Sequence, residues 1–218
     1  MEERANVEIG PEGNTDVRRR VGIMGGTFDP IHNGHLACAE EAMGQFDLDE
    51  VIFVPTGNPP HKANEQVTPA RERLTMVHLA TIGHPRFRVS PVEIDTPGPS
   101  YTAETLAHFR SELGEAAKLF FITGADAVLE ILHWRDPEKL MSMCSVIAAT
   151  RLGYSGERLQ TFLEEVKRET NHEVLQMKIP VLQISSTDIR RRVRESKPIR
   201  YLVPQAVYQF IEKEGLYL

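Results

Sequence analysis

The stretch "VGIMGGTFDPIHNGHLACAEEA", Val21 to Ala42, decides how the rest of the chain is read. A short apolar run leads into Gly25-Gly26. The turn dipeptides Asp29-Pro30 and Asn33-Gly34 follow, with His32 and His35 set around the second. Apolar residues then recur at helical spacing. The order is strand, glycine-rich turn, helix, the junction at which α/β sheets hold phosphates.

Working outward, the same alternation continues. Strand-like runs "VIFVP" (51–55), "KLFFIT" (118–123), "CSVIAAT" (144–150) and "HEVLQMKI" (172–179) alternate with helical patterns over 69–83, 102–113, 126–132 and 157–169. "RFRVS" (86–90) and "VEID" (92–95) read as short extended pieces, Thr102 as the cap of its helix, and "RLGY" (151–154) as a turn. "STDIRRRVRE" and "PQAVYQFIEKEG" read as closing helices, the second ended by Gly215. The pattern predicts an α/β, Rossmann-like, doubly wound and mostly parallel sheet, with helices on both faces and a small helical C-terminal part over about 185–218. Residues 1–18 are polar and without period and read as a flexible leader, leaving 19–218 as one domain.

Composition narrows the function classes. At 218 residues, with 41% hydrophobic and 26% charged, the chain has the balance of a soluble globular domain. No apolar run reaches the ~18 residues a membrane span needs, and the run after Arg18-Arg19-Arg20 is broken by Gly25-Gly26, so a targeting signal is rejected and a cytoplasmic location expected. The net charge of −6 disfavours nucleic acid as a partner. Cys38 and Cys144 form no CxxC pattern and read as small buried hydrophobes. A homo-oligomer is compatible with all of this.

The glycine–histidine turn matches no dinucleotide fingerprint, because Gly22, Gly25 and Gly26 do not give G-x-G-x-x-G. It is no P-loop either, since no lysine follows the glycines. His32 and His35 lack the HExxH context of a zinc site, and no further pair completes a ligand set. Phosphate binding remains, with glycine backbone free to approach an anion. "ISSTDIRRRV" offers a second anion element: Ser185, Ser186 and Thr187 open a helix, with Arg190 one turn inside. The remaining arginines of that helix, Arg191, Arg192 and Arg194, read as a solvated face.

"GGTFDPIHNGH" resembles the first signature of the adenylyltransferases with an (H/T)xGH motif. "PTGNPPHK", "ARERLTM", "PGPSYTAETL", "FFITGADAV", Trp134, "ATRLGY", "ISSTDIRRRV" and "YLVPQAVYQFIEKEGLY" extend the likeness, in order, to bacterial nicotinate-nucleotide adenylyltransferases, from about Val21 to Leu218. That resemblance implies transfer of AMP from ATP to nicotinate mononucleotide, giving deamido-NAD and pyrophosphate in NAD biosynthesis. A nicotinamide mononucleotide or phosphopantetheine adenylyltransferase is the alternative within the class. A cytidylyltransferase more often closes with "GISTT" than with "ISST". A non-catalytic nucleotide-binding regulator is the alternative outside the class.

The resemblance also implies roles. His35, His32 and Arg190 are catalytic. ATP meets Gly25, Gly26, Thr27, Phe28, His32, His35, Asp126, Ser185, Ser186, Thr187 and Arg190. Nicotinate mononucleotide meets Thr27, Lys62, Arg73, Tyr101, Thr102 and Trp134. Asp126 has the additional reading of a helix N-cap. Mg²⁺ is expected to arrive with ATP, with no metal site of the protein's own.

Overall fold

The computed structural model describes residues 19–59, 67–151, 156–179 and 184–218. Six strands form one parallel sheet: β1 (Arg20–Gly26), β2 (Glu50–Pro55), β3 (Phe87–Val89), β4 (Lys118–Gly124), β5 (Ser145–Arg151) and β6 (Val174–Ile179), in the spatial order β3-β2-β1-β4-β5-β6. Covered on both sides, its central strands carry nearly continuous apolar runs, as parallel strands do.

Alternate residues build two cores. Met24, Val51, Phe53, Phe120 and Ile122 point to one face. There they meet α1 (Asn33–Gln45), α2 (Ala70–Thr81), α8 (Ser186–Arg194) and α9 (Gln205–Glu214), through Ala39, Met76, Ile189, Val207 and Ile211 among others. Val21, Ile23, Ile52, Val54, Leu119 and Phe121 point to the other. That face is covered by α4 (Thr102–Leu113), α5 (Ala125–Val128), α6 (Pro137–Met143) and α7 (Gly156–Thr170). The one-turn α3 (Val92–Asp95) lies between β3 and α4. The α/β doubly wound expectation holds, and the closing helices share the first core. Among the described residues no helix is long and apolar enough to cross a membrane.

Three local expectations need correction. β1 runs on through the glycine pair, because Gly25 and Gly26 register with Val54 and Pro55 of β2. "VEID" is a helical turn, closed by the Ile94 and Asp95 amides donating to the Pro91 carbonyl. Tyr101, extended at φ −124° and ψ 129°, is the N-cap of α4, so Thr102 is its first helical residue and not the cap. The helix α6 begins directly after Trp134-Arg135-Asp136, where Pro137 occupies the first turn at no cost in hydrogen bonding. The leader, 1–18, and the "RLGY" turn apart from Arg151 lie outside the described residues.

Candidate active site

Strand order reverses between β1 and β4, and the crevice at their carboxyl ends is where an open α/β sheet binds ligands. Gly25 and Gly26 end β1 there. A Cβ on Gly26 would stand 3.1 Å from the Phe28 ring. Phe28 is buried, with a left-handed φ of 49°. Its ring packs against Phe53, with centroids 6.0 Å apart, and edge-on to His35 at 5.0 Å. The glycine therefore makes room for the aromatic support of a histidine.

His32 is the N-cap of α1 and His35 its third residue, so both rings project from the helix start. They stack with centroids 3.7 Å apart and an interplanar angle of 20°. The His32 amide donates to His35 Nδ1 at 3.2 Å. A nitrogen that accepts carries no proton, so neutral His35 bears its hydrogen on Nε2. Burial of the ring, with His32 beside it, holds His35 well below the usual histidine range. It is a neutral donor at pH 7. Gly34 packs under this pair, and a Cβ there would approach the His32 ring atoms Nδ1 and Cε1 to 3.0 and 3.1 Å.

The second anion element is fastened to the first. Ser185 caps α8 and accepts from the Asp188 amide at 3.1 Å. Ser186 Oγ donates to the Pro30 carbonyl at 2.8 Å. Arg190 Nη1 donates to the Asp29 carbonyl at 2.7 Å, and Nη2 lies 3.5 Å from Thr187 Oγ1. Two segments more than 150 residues apart thus make one surface. Of the other arginines, Arg192 Nε bonds Asp188 at 2.6 Å and Arg191 pairs with Asp188 and Glu195, as a solvated helix face would.

On the other side of the crevice, Tyr101 and Thr102 open α4. The Arg135 guanidinium lies 4.4 Å from the Tyr101 ring centroid and its Nη1 is 3.5 Å from Glu104. Arg135 follows Trp134, so the two segments expected to hold a pyridine ring meet. Trp134 is half-buried and edge-on to Phe121, 5.9 Å between centroids. Ser100 is stitched to the segment after β2: its amide donates to the Asn58 carbonyl at 3.1 Å, and the Asn58 amide to Ser100 Oγ at 3.2 Å. Lys62 lies outside the described residues. Asp126 is exposed in the first turn of α5, at the end of β4, and the N-cap is Gly124, so the capping reading of Asp126 is corrected.

Arg73 has a different place from the one expected. It is 1% exposed, and its guanidinium donates to the carbonyls of Thr27 at 2.7 Å, Thr68 at 2.8 Å and Gly57 at 3.3 Å. Facing backbone oxygens inside the protein, it supports the site and does not line it. Burial lowers its pKa, opposed chiefly by Asp29.

Three contributors escape sequence reading. Gly57 approaches α3 so closely that a Cβ would lie 2.0 Å from the Glu93 carbonyl oxygen. The Glu93 carboxylate, raised in pKa by burial, accepts from Thr105 Oγ1 at 2.6 Å. Asp29, buried, accepts from the Tyr217 hydroxyl at 2.7 Å. An acidic residue within the otherwise apolar "TFDPI" run was the available signal for Asp29; nothing local marks Gly57 or Glu93. Burial pushes the Cys38 and Cys144 thiols up to about 12, so neither offers a thiolate. Among the described residues, no three His, Cys, Asp or Glu side chains cluster to hold a metal ion.

Comparison with known proteins places this geometry. Residues 23–192 match the family model described as cytidylyltransferase-like. The chain is 53% identical over 198 residues to a probable nicotinate-nucleotide adenylyltransferase of Moorella thermoacetica, covering 91% of each. It is 50% identical to one from Thermoanaerobacter sp., covering 91% of this chain and 94% of that one. Among solved structures, the Plasmodium falciparum nicotinic acid mononucleotide adenylyltransferase complexed with NaAD superposes with a TM-score of 0.71 at 18% identity, over 91% of this chain and 97% of that one. The last likeness is one of fold. With the histidine turn, the α8 anchor and half-identical relatives over nine-tenths of its length, the chain belongs to the nicotinate-nucleotide adenylyltransferase family.

Proposed function

We propose that the chain transfers the adenylyl group of ATP to the phosphate of nicotinate mononucleotide, forming deamido-NAD and pyrophosphate. The observation that carries this reading is the joined donor surface of His32, His35 and Arg190, set across the sheet's switch point from the Tyr101–Trp134 side.

An acceptor phosphate oxygen attacks the α-phosphorus in line. One P–O bond forms as the bond to the leaving pyrophosphate breaks, so no protein nucleophile is needed. What the protein supplies is placement and charge stabilisation. His35 Nε2–H serves as a neutral donor to a phosphate oxygen on which charge develops. Arg190 adds a fixed positive charge, anchored on Asp29. Gly25, Gly26 and Thr27 let the two nucleotides approach the end of β1, with the Ser185–Thr187 turn on the ATP side and Asp126 toward a ribose. Tyr101, Thr102 and Trp134 take the pyridine ring, and the amides opening α4 suit its carboxylate. Lys62 completes the acceptor side.

Mg²⁺ enters as the metal of the ATP complex. The groups offered to the phosphates are imidazoles and a guanidinium, which suit phosphate oxygens and leave a hard cation to phosphate and water. We place the reaction in the cytoplasm, in keeping with two unpaired cysteines.

Pyrophosphate release tests the reading. With ATP and Mg²⁺, nicotinate mononucleotide is expected to support turnover faster than nicotinamide mononucleotide does. Release with phosphopantetheine alone, or with no acceptor of this kind, overturns it.

A further inference from the structure

Asp29 stands in the loop between β1 and α1, only 3% exposed, and gathers partners from far along the chain. The Thr68 amide donates to Oδ2 at 3.3 Å, and the Tyr217 hydroxyl to Oδ1 at 2.7 Å. Its own carbonyl accepts Arg190 Nη1 at 2.7 Å. The charged groups beside it are Arg73 from α2 and Arg190 from α8. One buried residue therefore sits between the segment after α9 and the arginine offered to the phosphates.

Tyr217 reaches Asp29 by a constrained path. The chain leaves α9 through Gly215 at φ 63° and turns again at Tyr217, whose φ of 70° lies in the left-handed region that side chains disfavour. Packing does not ask for the hydroxyl. The ring lies against the first core, where phenylalanine would fill the same space. The hydroxyl donates to Asp29 at 2.7 Å, with the Thr68 side chain as a further hydrogen-bond partner and Met76 Sδ farther off at 3.9 Å. Burial, with the Asp29 charge next, holds the phenol above its ordinary range, so it remains a donor.

We propose that Tyr217 is a positioning residue for adenylyl transfer: by donating to Asp29 it fixes the carbonyl on which Arg190 rests and the loop from which His32 and His35 emerge. This inference rests on the function proposed above. Angstrom-scale misplacement of such groups is enough to cost up to about a hundredfold in rate.

The test is Y217F, alone and combined with D29A, assayed well below the unfolding midpoint of each variant. Y217F is expected to lower kcat tenfold or more while changing KM for nicotinate mononucleotide less than twofold. In the D29A background the same change is expected to cost less than twofold, because the acceptor it acts through has already been removed. A kcat for Y217F within twofold of wild type, or losses that multiply in the double variant, overturns the inference. A wild-type protein without adenylyl transfer would sink the functional reading instead. The inference is then judged without turnover, from the Cε1–H nuclear magnetic resonance signals of His32 and His35. Y217F must move them, and unmoved signals overturn it.

Discussion

His35 works as a donor because its other nitrogen is already occupied. The His32 amide on Nδ1 fixes the tautomer, and burial keeps the ring neutral. Removing a donor to developing charge costs ~3–4 kcal/mol, so H35A is expected to lower kcat by two decades or more with the fold retained. The same variant has a signature in stability. A histidine with a lowered folded pKa binds fewer protons folded than unfolded. Its contribution is therefore whole above the unfolded pKa of about 6.5, and is lost as pH falls from there toward the lowered folded value. Urea titrations between about pH 6.5 and 5 should show a slope shallower in H35A than in wild type by up to ~1.4 kcal/mol per pH unit. The two histidines were legible in sequence because their chemistry and their spacing are local. The proton's place on Nε2 was not, since it depends on the φ and ψ of His32.

At the scale of the element, α1 owes its catalytic face to a residue with no side chain. Alanine at position 34 favours the helix intrinsically by up to ~1 kcal/mol over glycine, yet its Cβ would press on the His32 ring at 3.0–3.1 Å. G34A is expected to leave the urea midpoint unchanged or slightly raised while kcat falls. A drop in stability with kcat unchanged would separate Gly34 from the site. Strands and helices themselves were readable from periodicity, and the sheet's two faces follow from alternation along β1, β2 and β4. Boundaries were less so. Whether Tyr101 or Thr102 caps α4 is a matter of one residue's backbone angles, and α3 forms because Pro91 presents a carbonyl to two amides. Neither follows from side-chain type.

Across the whole molecule, Arg73 is the strut that joins β1, β2 and the approach to α2 through the carbonyls of Thr27, Gly57 and Thr68. Lysine offers a compact charge where a planar fork serves three oxygens. R73K should leave two carbonyls poorly served, at ~1–3 kcal/mol each, and so lose roughly 2–6 kcal/mol by urea denaturation. A normal midpoint with a raised KM for nicotinate mononucleotide would return Arg73 to the substrate. Sequence placed this residue near the acceptor but could not show that it faces inward, because its partners come from three separate parts of the chain. The same holds for Asp29 and Tyr217, 188 positions apart.

That separation has a kinetic meaning. The contacts that complete the phosphate surface, Arg190 to Asp29 and Tyr217 to Asp29, close loops of 161 and 188 positions. Loop closure of this length is entropically costly and is favoured only after nearer contacts have formed. The start of α1 is tied in the same way, Asn33 donating through its amide and its side chain to the Leu202 and Tyr201 carbonyls, so the histidines and the grip on Arg190 are settled together by the last docking events. A half-folded chain therefore lacks an assembled site, and catalytic competence is tied by chain connectivity to completion of the fold.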